Sequence, residues 1–214
     1  MIIGIGNKSR QGKDVVAEYL VKQYGFKLLR FASYLYEECN RLPDYIDKWN
    51  ANYVWVKSES GAIRFHRPPF VTEDLLSCGM QGMKNGFLLQ WWGAEVRRSQ
   101  DKNYWTNKIQ ADIVSGGDRN IVIPDTRMTN ELKLIKELSG KFVSIERFKL
   151  NGKRYVTSDR DPNHSTEIEL DNINYDYLLV NDGTLDDLYE KTDTMIINLR
   201  NLEGKYEKAN YIRQ

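Results

Sequence analysis

Cysteine, proline and long apolar runs are all scarce in this sequence, and the scarcities exclude several classes of protein. With two cysteines in 214 residues, Cys39 and Cys78, the chain is not a disulfide-stapled secreted scaffold, and both thiols are expected to be reduced and buried. Mean hydropathy is -0.61, and no apolar run is long enough to span a bilayer. The apolar start, residues 1–5, is too short for a signal-peptide core and follows no basic segment. We therefore expect a cytoplasmic protein.

An excess of charge of one sign is also missing. Lys and Arg number 31 against 30 Asp and Glu, so the formal net charge is +1 and no global field draws the chain toward nucleic acid or membrane. Aromatic residues are frequent but spread out, and no basic stripe interleaved with aromatic residues supports nucleic-acid binding. We expect neither a nucleic-acid nor a membrane partner, and instead local cations that serve a small molecule.

Apolar runs alternate with helical periodicity along the chain. Residues 2–5 predict a short buried strand, residues 13–24 a helix that Gly25 ends, and residues 26–31 a second strand. This order is typical of the start of a doubly wound α/β domain. Further apolar runs predict strands at residues 120–124, 142–146 and 177–180. The expected fold is an α/β fold with a parallel sheet of about five strands and helices on both faces.

The stretch after the second strand breaks this alternation. Residues 42–70 hold three of the five prolines and two β-like runs, 53–57 and 62–66, which predict an inserted hairpin. Helices are expected at residues 32–41, 71–83, 87–99, 104–114 and 130–139, and after an N-cap at Thr184. The sequence predicts one domain, residues 1–214, with an insertion at residues 42–83.

The first candidate site is the loop NKSRQGKD, which follows the first strand. Phosphate binding needs several backbone N–H groups aimed at one point, a helix N-terminus behind them and a flexible cation, and Gly12–Lys13 at a helix start supplies these. Asn7 and Asp14 stand where a G-x-x-x-x-G-K-[ST] loop has Gly and Ser/Thr. We predict that Asn7 takes backbone geometry that Gly would prefer, and that Asp14 meets Mg²⁺ directly or through water. The alternative is a polar turn in which Asp14 is stabilised by the positive end of the helix dipole and binds no metal.

The second candidate is Asp125, which follows the apolar run at residues 121–123. Ligands collect at the carboxyl ends of parallel strands, and an acid at this place would hold Mg²⁺ through water. The alternative is a helix N-cap, an ordinary role for Asp. The nearby phosphate loop favours the metal role.

The third candidate is the segment LQWWGAEVRR, residues 89–98. On an α-helix Arg97 and Arg98 point about 100° apart, so only one of them can share a face with a given ligand. Arg suits bidentate phosphate binding, Gln90 could bind a base edge, and one of the two adjacent tryptophans could stack on the base. The alternative is an amphipathic helix with Trp in the core and Arg in solvent.

The fourth candidate is the polar stretch RYVTSDRDPNHSTE, residues 154–167. It holds Arg154, Arg160 and His164. Long polar loops are often lids, and phosphoryl transfer needs cations that close over the transferred group. We predict a lid at residues 149–167; the alternative is a solvated loop.

Taken in order, these stretches resemble the phage-type deoxynucleoside monophosphate kinases, a branch of the P-loop kinases. The resemblance is carried by GNKSRQGKDVVAEYL, LLRFASYLYEE, LQWWGAEVRRSQDKNYW, IVIPDTRMTNELKLIKELSGKFVSIER, HSTE and LLVNDGTLDDLYEK. It covers most of the chain except residues 42–83. Gly-Lys-Asp in the loop is characteristic of that family, whereas Asn7 is a departure and Ala94 stands where the family has Thr.

The resemblance implies a P-loop NTPase-like fold and phosphorylation of deoxynucleoside monophosphates by ATP with Mg²⁺. It implies roles for Lys13, Arg98 and Asp125 in catalysis, with Asp14 and Asp125 on the metal, and Arg160 or another lid cation is expected to close over the γ-phosphate. Donor-nucleotide contacts are expected from Gly6, Asn7, Arg10, Gly12, Lys13, Asp14 and Arg154. Acceptor contacts are expected from Ala32, Gln90, Trp91, Gly93, Arg97, Arg98 and Arg127.

Other functions remain open at this point. Animal-type phosphomevalonate kinases share the Gly-Lys-Asp loop, so that loop does not fix the acceptor. A nucleotide-dependent switch protein would use the loop for binding and residues 42–70 for a partner. The sequence allows a homodimer and, if a phage encodes the chain, a place in the host cytoplasm.

Overall fold

The computed structural model describes residues 1–6, 8–149, 151–156 and 168–211, with side chains of the last helix described as far as residue 201. The chain divides into two compact units. Met1–Arg30 and Asp112–Gln214 form one, here called the sheet unit, and Phe31–Ala111 form the other, here called the insert unit. The predicted insertion, residues 42–83, lies within the insert unit, which extends beyond it at both ends.

The secondary structure of the described residues follows the predicted alternation. The strands are β1 (Ile2–Gly6), β2 (Lys27–Leu28), β3 (Ile46–Trp49), β4 (Tyr53–Val56), β5 (Ile63–His66), β6 (Ile121–Ile123), β7 (Lys141–Arg147) and β8 (Tyr177–Asn181). The helices are α1 (Lys13–Tyr24), α2 (Phe31–Asn40), α3 (Leu42–Tyr45), α4 (Glu73–Cys78), α5 (Gly86–Gln90), a π-helix (Trp91–Arg98), α6 (Tyr104–Gly116), α7 (Thr129–Glu137) and α8 (Leu185–Tyr211). No helix in these described ranges is both long and apolar enough to cross a membrane.

Five parallel strands form the sheet of the sheet unit, in the order β2-β6-β1-β7-β8. The apolar residues of β6 are buried because this strand has neighbours on both sides, and a parallel sheet is covered on both faces. Ile3 and Ile5 pack in a core with side chains of α1 and α8, whereas a Cβ on Gly4 would meet Ile135 of α7 on the other face. The predicted α/β fold with helices on both faces is therefore confirmed.

The ends of the helices show local sequence control. Gly25 takes a φ of 67° and its N–H bonds to the last turn of α1, which confirms it as the stop. Thr184 precedes α8 and accepts a hydrogen bond from the N–H of Asp187 (3.2 Å), while its own N–H donates to the Asp187 carboxylate (2.7 Å). These reciprocal bonds confirm the predicted N-cap and lower the pKa of Asp187.

The insert unit contains an antiparallel sheet in the order β3-β4-β5. The predicted hairpin is confirmed as β4 and β5, but β3 escaped prediction because only Ile46 of its four residues is buried. The helix expected at residues 71–83 is shorter, since α4 ends before Gly79 at a φ of 71°. Cys39 is buried and Cys78 is exposed, both as free thiols, so the expected burial was wrong for Cys78.

The predicted helix at residues 87–99 changes type along its length. It begins as α5, where the side chain of Asn85 accepts a hydrogen bond from the N–H of Leu88 (3.0 Å), and it continues as the π-helix Trp91–Arg98. In a π-helix hydrogen bonds run from residue i to i+5, so residues five apart lie closer to one face than they would in an α-helix. The α-helical angle expected between Arg97 and Arg98 therefore does not apply in this segment.

Candidate active site

The loop between β1 and α1 has the backbone form of an anion site. Among its described residues, Arg10 has a φ of 58° and Gly12, the N-cap of α1, a φ of 106°. Successive left-handed and right-handed residues turn neighbouring N–H groups toward one point, and the helix N-terminus adds its positive end. The left-handed geometry predicted for Asn7 falls on a residue outside the described ranges.

Gln11 fixes this loop to the rest of the sheet unit. Its buried side-chain oxygen accepts a hydrogen bond from the backbone N–H of Arg147 (2.5 Å), and its amide nitrogen donates to the carbonyl oxygen of Tyr155 (3.2 Å). The side-chain amide of Asn181 donates to the Gln11 carbonyl oxygen (2.9 Å). The loop is thus attached to the carboxyl ends of β7 and β8. Sequence reasoning missed Gln11 and Asn181, since no local pattern marks a loop glutamine as buried.

Gly6 brings the loop against the segment that carries Asp125. A Cβ at Gly6 would lie 3.0 Å from the backbone oxygen of Thr126 and 2.5 Å from ring atoms of Phe142. A side chain at this position would therefore push two packed segments away. Glycine is required here because Phe142 and the backbone of Thr126 lie too close to leave room for a side chain.

Lys13 begins α1 and is buried, with its ammonium donating to the carbonyl oxygen of Lys8 within the same loop. This places the predicted phosphate lysine over the loop backbone. A phosphate bound at the loop would offer that cation a charged acceptor in place of a neutral one.

Asp14, the unusual residue of the loop, forms an ion pair with Arg30. The Asp14 side chain is 68% exposed and Arg30 directly follows the short strand β2 and precedes α2. Arg30 compensates the negative charge that Asp14 adds beside a phosphate site. The sequence reasoning assigned Arg30 no role, because it placed Arg30 inside the strand predicted at residues 26–31, whereas β2 ends at Leu28.

Asp125 is half-buried and follows β6, which pairs in parallel with β1. The loop and Asp125 therefore lie at the same edge of the sheet. Helix α7 begins at Thr129, and the Glu131 carboxylate accepts from the backbone N–H groups of Arg127 (2.8 Å) and Met128 (3.1 Å). The alternative role for Asp125, a helix N-cap, is wrong.

The carboxylates of Asp14 and Asp125 fit a Mg²⁺ ion by donor type. Within the residues that the structure describes, no group of three or more His, Cys, Asp or Glu forms a ready metal cage. Mg²⁺ in nucleotide sites usually takes one or two carboxylates and completes its shell with water and phosphate oxygens. Two acids at one edge of the sheet are thus sufficient for a nucleotide-bound ion.

The sheet unit also holds a cavity of about 280 Å³. Its lining comes from the carboxyl ends of β7 and β8 and the chain that follows each: Arg147, Phe148, Lys149, Tyr155, Asn181, Asp182 and Gly183. The Arg147 guanidinium lies 5.0 Å from the ring centroid of Tyr155. Since Tyr155 and Asn181 also bind Gln11, the cavity and the phosphate loop share supports.

The predicted lid is described only in its first part. Arg154 is exposed. Its backbone forms an isolated antiparallel β-bridge with Phe148, and its guanidinium makes an ion pair with the Glu146 carboxylate. Arg160 and His164 lie outside the described residues, and their predicted roles stay predictions.

In the insert unit one predicted acceptor residue, Arg97, contacts a buried carboxylate. Glu38 is 2% exposed and accepts hydrogen bonds from Arg97 Nε (2.7 Å), Trp92 Nε1 (2.9 Å) and the Tyr104 hydroxyl (2.5 Å), with Lys108 Nζ at 3.4 Å. Burial of the Tyr104 hydroxyl, together with its hydrogen bond to Glu38, raises the pKa of that hydroxyl. Three hydrogen-bond donors and a nearby ammonium thus compensate the negative charge of Glu38, as a buried carboxylate requires.

Arg97 is enclosed as tightly as its partner. The guanidinium lies 4.9, 4.7 and 4.8 Å from the ring centroids of Tyr45, Trp92 and Tyr104. The π-helix explains why Trp92 and Arg97, five residues apart, reach the same oxygen of Glu38. Sequence reasoning missed Glu38, because 59 residues separate it from Arg97.

The remaining predicted acceptor residues differ in exposure. Trp91 is buried in the insert unit core, Arg98 and Ala32 are half-buried, and Gln90 is exposed. Gly93 accepts a hydrogen bond from Trp105 Nε1 (3.2 Å). Arg127, half-buried, lies in the sheet unit. Substrate contact by each of these residues, and by Arg97, stays a prediction.

Comparison with known proteins gives three similarities, to a family model, to a curated protein and to a solved structure. Residues 86–192 match the family model for deoxynucleotide monophosphate kinase, which is half of the chain. A protein of Acanthamoeba polyphaga mimivirus, named as a deoxynucleotide monophosphate kinase, is 26% identical over 208 residues, covering 92% of this chain and 97% of that protein. Among solved structures, dephospho-CoA kinase from Campylobacter jejuni matches with a TM-score of 0.47 at 13% identity, covering 91% of this chain and 95% of that one.

Proposed function

Because this chain belongs to the deoxynucleotide monophosphate kinase family and is thus a phosphotransferase, we propose that it transfers the γ-phosphoryl group of ATP to a deoxynucleoside 5'-monophosphate. The observation that carries the proposal is the loop of residues 6–13, with Gly12 and Lys13 at the start of α1 and Asp125 at the same sheet edge. This arrangement supports a site for a nucleotide that carries several phosphates.

The donor is held by the sheet unit. The loop N–H groups and the Lys13 ammonium bind its phosphates, and Asp14 and Asp125 hold Mg²⁺ directly or through water. When bound, Mg²⁺ neutralises charge on the phosphate oxygens. Arg30 keeps Asp14 from repelling the nucleotide. The donor base enters the cavity beside the loop, where Arg147 and Tyr155 offer a planar cation and a ring.

The acceptor is held by the insert unit. Arg98 binds the acceptor phosphate and Gln90, which is exposed, binds the base edge. Arg97 contributes to this site through the scaffold, because its guanidinium is occupied by Glu38 and three rings. It fixes the π-helix that carries Arg98.

The reaction itself needs positioning and charge neutralisation more than covalent chemistry. An oxygen of the acceptor phosphate attacks the γ-phosphorus, the bond from that phosphorus to the β–γ bridging oxygen breaks, and ADP leaves with the electron pair. Lys13 stabilises the charge that spreads over the transferred group, and Arg98 compensates the charge of the acceptor phosphate. Arg154, and Arg160 beyond the described residues, are the candidate cations of the lid.

The test is ADP release, measured with a coupled assay for each deoxynucleoside monophosphate. We expect turnover that depends on the acceptor and a loss in kcat on the order of 10²–10³ for Lys13→Ala, the range found when one transition-state donor is removed. Lys22→Ala, at the exposed end of the same helix, is the matched control and should leave kcat unchanged.

Two results would contradict the proposal. Turnover with phosphomevalonate but with no deoxynucleotide would assign the loop to another small-molecule kinase. Tight ATP binding without acceptor-stimulated turnover would indicate a nucleotide-dependent switch protein.

A further inference from the structure

The outer face of the insert sheet has an unusual composition. Because side chains alternate between the faces of a strand, Ile46, Val54, Val56 and Phe65 pack toward the core of the insert unit. The opposite face, here called the outer face, presents Lys48, Tyr53, Trp55, Arg64 and His66. It therefore holds two cations, an imidazole and two large rings, and no acid.

Strand pairing interleaves these cations and rings. Trp55 pairs with Lys48 on one side and Arg64 on the other, and Tyr53 pairs with His66. Lys48 Nζ lies 5.3 Å from the Trp55 ring centroid, and the Arg64 guanidinium lies 4.6 Å from that of Tyr53. No basic stripe with interleaved aromatics is visible in the sequence, because these residues are separated along the chain and become neighbours only through pairing.

Sheet stability alone does not require this set. Cross-strand pairs of many kinds contribute a few tenths of a kcal/mol to about 1 kcal/mol, and uncharged β-branched pairs would serve equally well. Asp47 is the one acidic residue in β3, β4 and β5, and it lies at the register shift between Ile46 and Lys48, outside the paired rows. The paired rows thus carry positive charge alone.

The chemistry that complements this face has flat bases and negative phosphates. Single-stranded nucleic acid is bound by rings on which bases stack and by cations that follow the backbone. The ring planes of Tyr53 and Trp55 are 62° apart and those of Tyr53 and His66 are 83° apart, so these rings are not stacked on one another. An acidic protein segment would match the cations and leave the rings unused.

We propose that the outer face binds single-stranded nucleic acid, with bases stacked on Trp55 and Tyr53 and phosphates on Lys48 and Arg64. This binding is separate from the proposed phosphoryl transfer, since none of these residues belongs to the donor or acceptor sites described above. It would place the kinase on a strand while it acts on free nucleotides.

The experiment is fluorescence anisotropy of a labelled oligothymidylate of about ten nucleotides with the full chain. Two phosphate contacts to a single strand give a slope of about -1.4 in log affinity against log salt, so affinity should fall about sevenfold between roughly 50 and 200 mM salt. The double variant Lys48→Glu/Arg64→Glu should abolish binding and keep kinase turnover. Lys84→Glu, an exposed lysine elsewhere in the insert unit, is the control and should bind as the unchanged chain does within about twofold.

The rings are tested separately from the charges. Trp55→Ala should weaken binding by about fivefold or more, the lower end of one stacked base, whereas Trp55→Phe retains a ring and should recover most of it. A circular dichroism spectrum checks the fold, and if Trp55→Ala fails to fold, the Trp55→Phe and charge variants carry the test. No binding, equal binding of duplex and single strand, or displacement of the oligonucleotide by an acceptor monophosphate would each overturn the proposal.

Discussion

The sheet unit and the insert unit each contain an arginine–carboxylate pair, and the two pairs are used differently. Arg30 and Asp14 meet at the surface, with the carboxylate 68% exposed, beside the loop proposed to bind phosphate. Arg97 and Glu38 are 7% and 2% exposed and are enclosed by three aromatic rings. A charge that serves a ligand must remain within reach of it, whereas a charge that supports a scaffold is satisfied inside the protein.

The largest expected effect comes from breaking the buried pair. Glu38→Gln leaves the Arg97 guanidinium buried without a counter-charge, and we expect the free energy of unfolding of the insert unit to fall by about 3–5 kcal/mol. All five tryptophans lie in this unit, so tryptophan fluorescence during urea denaturation reports on it alone. Glu37→Gln removes an exposed carboxylate that pairs with Arg41, and this control should cost no more than about 0.5 kcal/mol. Equal losses in the two variants would show that burial does not distinguish the pairs.

A smaller effect is expected from the support of the phosphate loop. Gln11→Ala removes two hydrogen bonds to part-buried backbone groups of Arg147 and Tyr155, which should lower the free energy of unfolding by about 1–3 kcal/mol and raise the KM for ATP more than it lowers kcat. Gln23→Ala, exposed near the end of α1, is the matched control. The measurements are thermal unfolding by circular dichroism and steady-state kinetics. An unchanged KM for ATP would show that the hydrogen bonds of Gln11 do not affect donor binding.

The smallest effect on stability is expected from the exposed pair. Arg30→Ala should change the free energy of unfolding by no more than about 1 kcal/mol, because exposed ion pairs contribute little. It should nevertheless weaken the binding of ATP without added Mg²⁺, since the Asp14 charge then faces the phosphates with neither cation to compensate it. The loss should shrink as salt is raised, and Arg30→Lys should restore most of the affinity. ATP titration at low and high salt checks this, and a salt-independent loss would point to a contact other than charge compensation.

The parts that local sequence could predict are those that local rules control. The strand, loop and helix around Lys13 follow from an apolar run, a glycine at a helix start and helical spacing, and the hairpin of β4 and β5 follows from two β-like runs around a turn. The five parallel strands could be predicted for the same reason, because each contains a short apolar run. Each of these features depends on neighbours within about ten residues.

The parts that escaped prediction depend on distant partners. Glu38 and Arg97 are 59 residues apart, and the bond between Gln11 and Arg147 joins residues 136 apart. The π-helix altered the spacing that α-helical reasoning assumed for Arg97, and β3 was hidden because three of its four residues are exposed. In each case the side chain's role is set by what the tertiary fold brings to it.

The order of strands in the main sheet has a consequence for synthesis. Strand β1 is the first to leave the ribosome, yet it pairs with β6 and β7, where Ile2 faces Ile121 and Ile3 faces Lys141. At translation rates of about 5–20 residues per second, β1 waits roughly 6–24 s for its first partner. The insert unit is continuous in sequence and can complete its own contacts within that interval. Strand β1 is thus expected to pair late, although it precedes every other strand described in the chain.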